Sequence, residues 1–466
     1  MGKTIRSIMK RSKGLLVNLL ILFGFWAQAG AFAEYSLEDL YKLALERSER
    51  IKISGEDVYI AGTNQAKARS YLLPKLSAFG SQLKYNETKI NDTGSTIQPL
   101  DQSQWGLRLD QAVTLNGKEA TAYRIANENV ERSKYDLVAV KEAYMLSVSG
   151  AYYDHIHAKK LVQISRANVE RLTRYRGAAE TRLKVGEVTK TAVLRAEAEL
   201  SGAKSDLIKA ENGLKLSKAL LARIVGIQDE DFEVKEITPT EESDAFGQLC
   251  WPLTVECLKD KAIDERAELK SLRVQKKIAE QQIKYVYGGY WPTLSAEAVY
   301  QRTVQTPELA NIIRDLAYGG LRLSFPFFEG GLRVAEVGEA HAKKRQVDYS
   351  YEDSRKSIGI EVDSAYLDLT TQKGVLRSLE DQFVFARDNY NAILKQFVSG
   401  LANSIDVMDA NTLLVTAERQ FADATYNYQQ AILKVKRATG TLLKSVMASA
   451  NQGMGVPVGK EQDNKQ

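Results

Sequence analysis

Residues 106–226 of this chain are written a second time at residues 320–440, without a gap and with every position displaced by 214. Gly106-Leu107-Arg108-Leu109 returns as Gly320-Leu321-Arg322-Leu323, while Gly117, Gly186 and Gly226 return as Gly331, Gly400 and Gly440. The hydrophobic spacing is preserved best. Val193, Leu200, Leu207, Leu214 and Leu221 recur every seven residues, with Ala196, Ala203, Ala210, Ser217 and Ile224 between them. The second copy has Val407, Leu414, Phe421, Tyr428 and Val435, interleaved with Ala410, Ala417, Ala424, Ala431 and Ala438. A sustained seven-residue repeat brings helices together along a narrow left-handed seam, and small residues at alternate seam positions let the backbones approach closely. A duplicated coiled-coil unit of this length builds a scaffold or conduit rather than a catalytic pocket.

Upstream of the repeat, Ser36 can cap a helix whose positive end is favoured by Glu38 and Asp39. Apolar residues at helical spacing predict that helix over 37–70, and Pro74 ends it. Pro292, in Trp291-Pro292-Thr293-Leu294-Ser295, answers Leu73-Pro74-Lys75-Leu76-Ser77 at a displacement of 218, so the loop between the strands has changed length. Each proline is followed by two strand-like runs around a polar loop. They span 75–86 and 103–115 in the first copy, and 293–303 and 318–328 in the second. Trp105, Leu107 and Leu109 share one face with Gly106, Arg108 and Asp110 opposite; Leu321, Leu323, Phe325 and Phe327 repeat this against Arg322 and Ser324. Strands of this length, apolar on one side and polar on the other, suit a membrane barrel with a wet interior. The first strand of each hairpin sorts less cleanly, with Phe79 aligned to Glu297.

From Lys118 to Lys184 there is no proline, which predicts a helix of roughly 65 residues, on the order of 100 Å. Helices over 37–70 and 190–225, laid end to end, match it in length. The second copy predicts a long helix over 332–397 and shorter ones over 265–288 and 404–438. Gly186 and Gly400 suit the left-handed turn that ends each long helix, and Thr189 and Asn403 can cap the returning one. Pro74, Pro292, Gly117 and Gly331 mark the helix–strand junctions. The chain thus divides into a leader (1–33), a first repeat (34–226), a connector (227–263), a second repeat (264–440) and a C-terminal segment (441–466). Connector and C-terminal segment have no counterpart in the duplication and are expected to wrap the helices at mid-length, the last residues being polar and disordered.

The leader has five basic residues (Lys3, Arg6, Lys10, Arg11, Lys13), no acid, an apolar run over 15–26 and Ala31-Phe32-Ala33 at its end. That is the pattern of a secretory signal removed before Glu34, and its apolar run is too short for a membrane-spanning helix. Without it the basic and acidic residues balance, so charge gives no argument for nucleic acid. Cys250 and Cys257, the two cysteines, can close a small disulfide loop in an oxidising compartment; free thiols are the alternative, and the spacing is not a metal signature. His155 and His157 face different sides of a helix, which suits a satisfied surface, and His341 stands alone. No Gly-rich phosphate loop, metal-spaced cluster or Ser/His/Asp arrangement stands out, so no enzyme and no cofactor is expected.

Four strands per chain are too few to close a barrel, and an open edge cannot face lipid because its amides have no partner there. Several chains must therefore pool their strands. The order and spacing of these parts resemble the TolC family of outer-membrane efflux and secretion channels over nearly the whole chain after the leader. The resemblance is carried by Leu73-Pro74-x-Leu76, Trp291-Pro292-x-Leu294, Phe327-Phe328-Glu329-Gly330-Gly331, Val398-Ser399-Gly400 and Ile405-Asp406-Val407-Met408-Asp409. It implies a mainly α protein with a β membrane part: a homotrimer whose pooled twelve strands form one barrel in outer-membrane lipid, continuous with a long α-helical coiled-coil barrel in the periplasm. It further implies a passive conduit meeting an inner-membrane transporter through a periplasmic adaptor. The family's tip motif falls on Asp406 and Asp409, which would form two acidic rings at the pore entrance. Asp406 also sits where an acid simply stabilises a helix N-terminus. Of the family's closing contacts only Thr191 fits; Phe397, Ala402 and Ala192 replace a tyrosine, an arginine and an aspartate. A periplasmic adaptor would have one hairpin rather than two, and a purely structural coiled coil would not need the strands.

Overall fold

A computed structural model describes residues 33–228, 232–236, 246, 250, 252–308 and 313–452. The leader and the tail from 453 lie outside them. After a short strand β1 (Ala33–Tyr35), helix α1 (Leu37–Arg47) starts in a capping box: Asp39 N donates to Ser36 Oγ at 3.2 Å and Ser36 N to Asp39 Oδ2 at 3.2 Å. The Ser36 hydroxyl bond holds the Asp39 carboxyl below its ordinary range.

The single helix expected over 37–70 is two. α2 (Glu49–Ser70) follows a break at Ser48, whose backbone turns out of the helix (φ −59°, ψ 122°). Ser48 Oγ accepts from Ile51 N to restart it, and Arg47 reaches across to the Gly226 carbonyl at 3.2 Å. The hairpin strands follow: β2 (Lys75–Lys84), a small β3 (Lys89–Ile90) and β4 (Thr96–Gln98) in its loop, and β5 (Asp101–Thr114). Gly117 (φ 74°) turns the chain into α3 (Lys118–Lys184), which returns as α4 (Lys190–Val225).

The connector contributes β6 (Phe232–Val234), parallel to β1, and α5 (Val255–Glu265), a helix absent from the sequence expectation. A second break at Arg266 (φ −58°, ψ 122°) separates α5 from α6 (Ala267–Tyr287). It lies 218 residues after Ser48, the displacement that relates the two prolines. Next come β7 (Thr293–Thr306), β8 (Asp315–Ser324), α7 (Leu332–Val398), α8 (Ser404–Ala438) and α9 (Leu442–Gln452). α3 and α7 are each 67 residues long, about 100 Å at 1.5 Å per residue.

The strands form one antiparallel sheet in the order β2-β5-β7-β8. Its two hairpins share a register: Lys75 stands opposite Asp110, and their displaced counterparts Thr293 and Ser324 stand opposite each other. The hairpins meet between β5 and β7, with Leu107 opposite Tyr300. Leu76, Leu109 and Ala298 line up on one face, as do Leu107 and Tyr300, and Trp105 meets the Tyr300 ring edge-on at 6.2 Å. Ser77, Arg108, Asp110, Glu297, Ser295 and Arg322 occupy the other face. Phe79 and Val299 are apolar residues on that face, Phe79 lying over Gly106 and Val299 standing opposite Arg108.

The seams bury their small residues: Ala196 and Ala203 in α4, and Ala410, Ala417, Ala424, Ala431 and Ala438 in α8. Two apolar clusters gird the helices at mid-length. In one, Leu40 and Tyr41 of α1, Met145 and Tyr152 of α3, Phe232 and Val234 of β6, and Leu442 and Val446 of α9 pack together. In the other, Leu258 of α5 and Leu269 of α6 meet Val362 of α7 and Val435 of α8. Connector and C-terminal segment thus lie across the middle of the long helices. Cys250 and Cys257 are joined by a disulfide, with Cα atoms 6.1 Å apart.

His155 is not the surface residue its spacing suggested. It is 6% exposed, its Nδ1 is 3.2 Å from Ser217 Oγ, and burial lowers its pKa. Hydrogen bonding to a facing seam residue makes that burial tolerable.

Candidate functional site at the hairpin tips and the sheet

Both tips turn through glycine in the left-handed region, Gly186 at φ 80° and Gly400 at φ 77°. Leu401 N closes the second turn on the Gln396 carbonyl at 2.8 Å, and Glu187 N closes the first on Arg182 at 2.9 Å. The two returning helices start differently. Asn403 caps α8, its Oδ1 accepting from Ile405 N at 2.7 Å and Asp406 N at 3.0 Å, while Asp406 Oδ2 accepts from Asn403 N at 2.9 Å. Thr189 stands at the N-cap of α4, but its side chain makes no capping bond and meets the Thr191 hydroxyl at 2.6 Å instead. The expected Thr189 cap is therefore corrected: a neighbouring hydroxyl captures the group that would have served the helix end.

Asp406 and Asp409 have different surroundings. Asp406 is half-buried and tied into the capping box, so it serves helix α8 whatever else it does. Asp409 is 71% exposed, one turn along, with Arg195 of α4 3.6 Å away. Such an exposed pair contributes little to stability and leaves the carboxylate open to solvent.

Between the tips lies a packed junction that sequence reasoning did not find. Phe397, 3% exposed, meets the Tyr175 ring at 5.4 Å, and Arg182 lies over the Phe397 ring with its guanidinium carbon 4.3 Å from the ring centre. Arg182 Nη2 donates to the Val398 carbonyl at 2.9 Å, tying the end of α3 to the end of α7. Tyr175 donates to the Ser404 carbonyl at 3.3 Å, and burial raises its pKa. Farther from the tip, Arg171 grips Glu418 with two bonds of 3.2 and 2.9 Å, and Asn411 donates to Asn168 at 3.0 Å. Phe397 belongs to an apolar cluster against which Ala402 packs; Ala192 is buried at the start of α4, its N–H donating to the Thr189 carbonyl at 3.1 Å. Arg182 carried no signal in the sequence, because one of its partners is a backbone carbonyl that every residue possesses.

At the opposite end, Pro74 and Pro292 immediately precede β2 and β7, while Gly117 (φ 74°) and Gly331 (φ 87°) start the long helices. The outer edges of β2 and β8 have no strand partner among the described residues. Large apolar side chains are bare there: Leu76 is 70% exposed, Leu321 76%, Phe327 90% and Phe328 83%. Among the described residues, no helix is long and apolar enough to cross a membrane.

A sheet with an apolar face, joined to two coiled-coil hairpins whose longer helices run about 100 Å, defines a class of protein that couples a membrane to a distant site. A sequence profile for the family described as "Outer membrane efflux protein" matches residues 40–227 and 258–441, and the chain belongs to that family. It is 23% identical to outer membrane protein TolC of Escherichia coli K12, over 98% of this chain and 92% of the relative. It is 22% identical to alkaline protease secretion protein AprF of Pseudomonas aeruginosa, over 88% and 85%. Among solved structures, VceC of Vibrio cholerae superposes with a TM-score of 0.74 at 18% identity, covering 87% of this chain and 96% of that one. The CmeC outer membrane channel of Campylobacter jejuni gives 0.74 at 18%, covering 90% and 89%. The TolC-like resemblance read from the motifs is correct, and the fold is that of these channels.

Proposed function

We propose that the chain is the outer-membrane channel component of an efflux or type I secretion system, reaching from the outer membrane into the periplasm. Three copies form the conduit, pooling their sheets into one closed barrel and their hairpins into one helical tube. The observation that carries this reading is the sheet: apolar on one face, mainly polar on the other, with neither outer edge paired among the described residues. Lipid cannot satisfy those edges, so other strands must. The polar face then lines a wet lumen and the tube needs no chemistry of its own; substrates are delivered by an inner-membrane transporter through an adaptor protein. The tips form the periplasmic entrance, with Asp409 and Asp406 as its acidic lining and the Arg182 junction holding neighbouring hairpins together. Purified from outer membranes in detergent, the protein is expected to sediment as a trimer, to migrate differently before and after boiling, and to conduct ions across planar bilayers. A mature protein extracted without detergent as a monomer would overturn the reading.

A further inference from the structure

We propose that β8 of one copy pairs antiparallel with β2 of the next in a single register, with Leu321 opposite Gln82, Leu323 opposite Gly80 and Phe325 opposite Ala78. This rests on the channel reading above and adds to it the residue pairing of the seam between copies.

Hydrogen-bond polarity comes first. Thr303 N donates to the Arg314 carbonyl at 2.8 Å, so even-numbered positions of β8 face β7 and odd-numbered positions face the free edge. Tyr85 N donates to the Leu100 carbonyl at 2.8 Å, so odd positions of β2 face β5 and even positions face the free edge. Hydrogen-bonded pairs across the seam therefore join odd positions of β8 to even positions of β2. Pro326 is even-numbered, so its missing N–H lies on the β7 side, beyond the last β7 pair at Thr293 and Ser324. The proline removes no donor from the seam.

The faces agree with this parity. Leu321 and Leu323 of β8 and Leu76, Ala78 and Gly80 of β2 all lie on the apolar face. Only registers two residues apart remain, and the duplication selects among them. The β5–β7 contact inside the chain, with Leu107 opposite Tyr300, is the join between the two repeated hairpins. Displaced by 214 and 218, these residues become Leu321 and Gln82.

Two oddities of the single chain then acquire a cause. Gly106 is required within the chain, because a Cβ there would stand 2.2 Å from the Tyr300 carbonyl oxygen. Its counterpart Gly320 has no such need; a Cβ would meet only the Glu297 side chain, at 3.9 and 4.0 Å. In the proposed register the carbonyl of Gln82 from the next copy takes the place of the Tyr300 carbonyl. Phe327 and Phe328 lie past the end of β8, yet their counterparts Val113 and Thr114 belong to β5 and pair with β7. Pairing with the next copy extends β8 through Phe328, opposite Lys75.

Oxidative cross-linking of the full-length protein in outer membranes tests the register. Ser81 and Arg322 form a non-hydrogen-bonded pair across the seam, with Cα atoms about 4.5 Å apart. A slip of two residues moves them to a diagonal of roughly 7 Å or more, beyond ready disulfide reach. Ser81→Cys/Arg322→Cys is expected to give covalently linked multimers roughly tenfold more efficiently than Ser81→Cys/Gly320→Cys or Ser81→Cys/Ser324→Cys. Phe79→Cys/Ser324→Cys, in the same register, serves if the first pair disturbs assembly. Linking that peaks at position 320 or 324 against 81 overturns the register while the channel reading stands. A trimer by sedimentation that no pair can link overturns the β8–β2 seam. A monomer in detergent overturns the channel reading itself.

Discussion

Replacing Arg182 by methionine should loosen the closed entrance. Arg182 joins the two tips by a 2.9 Å bond to the Val398 carbonyl and by lying over the Phe397 ring at 4.3 Å. A hydrogen bond with a charged donor contributes about 1.5–3 kcal/mol, and a cation over an aromatic ring at a partly exposed site about 0.5–1 kcal/mol. The side chain is 20% exposed, so screening takes little from either contact. Glu187, at 3.7 Å and 61% exposed, adds almost nothing. Methionine keeps the apolar stem packed but removes about 2–3 kcal/mol from whichever state holds the tips in contact. If that state is the closed one, the open-to-closed ratio rises roughly 30-fold or more, since 1.4 kcal/mol is tenfold. Single-channel recording in planar bilayers reads the open probability directly, and Arg182→Lys, which keeps charge without the planar fork, should fall between. An open probability unchanged in Arg182→Met, with Phe397 still buried by amide exchange, would refute the junction as a closing contact.

The double variant Asp406→Asn/Asp409→Asn should lower cation selectivity in the same bilayers; unchanged selectivity and conductance would dismiss the acidic lining. Asp409→Asn alone should carry most of that effect, because Asp406 is engaged in the α8 cap. Gly106→Val should cost about 1–3 kcal/mol or more by forcing β5 from β7 at the Tyr300 carbonyl, read as loss of the heat-resistant oligomer. Arg266→Met should speed urea unfolding by an amount worth about 3 kcal/mol, since it strips Glu361 of two bonds and α8 of its ties at the Arg437 and Ala438 carbonyls. Burial raises the pKa of Glu142, whose Oε1 accepts from Leu443 N at 3.2 Å. The protonated form therefore favours the fold: its contribution is complete below about pH 4.5 and is lost as pH rises through the elevated folded value. Glu142→Gln should flatten that loss, gaining on the wild type more at about pH 8 than at about pH 4 in thermal unfolding; parallel curves would remove Glu142 from the account.

The sequence by itself determined what depends on periodicity and on local backbone demands. The seven-residue seam announced the paired helices, and the proline-free run from Lys118 to Lys184 set the length of α3. Gly186 and Gly400 marked the turns because few other residues accept a positive φ, and Asn403 marked a cap because its carbonyl reaches its own helix end. Tertiary structure decided where the partner is remote or is backbone. Ser48 and Arg266 break helices whose apolar spacing runs on unbroken, because Arg47 and Arg266 are held by carbonyls at the ends of α4 and α8. Arg182 and Glu142 found Val398 and Leu443 in the same way, and His155 was drawn inside by Ser217. A main-chain carbonyl or amide looks alike at every position, so no residue pattern foretells which distant side chain will claim it.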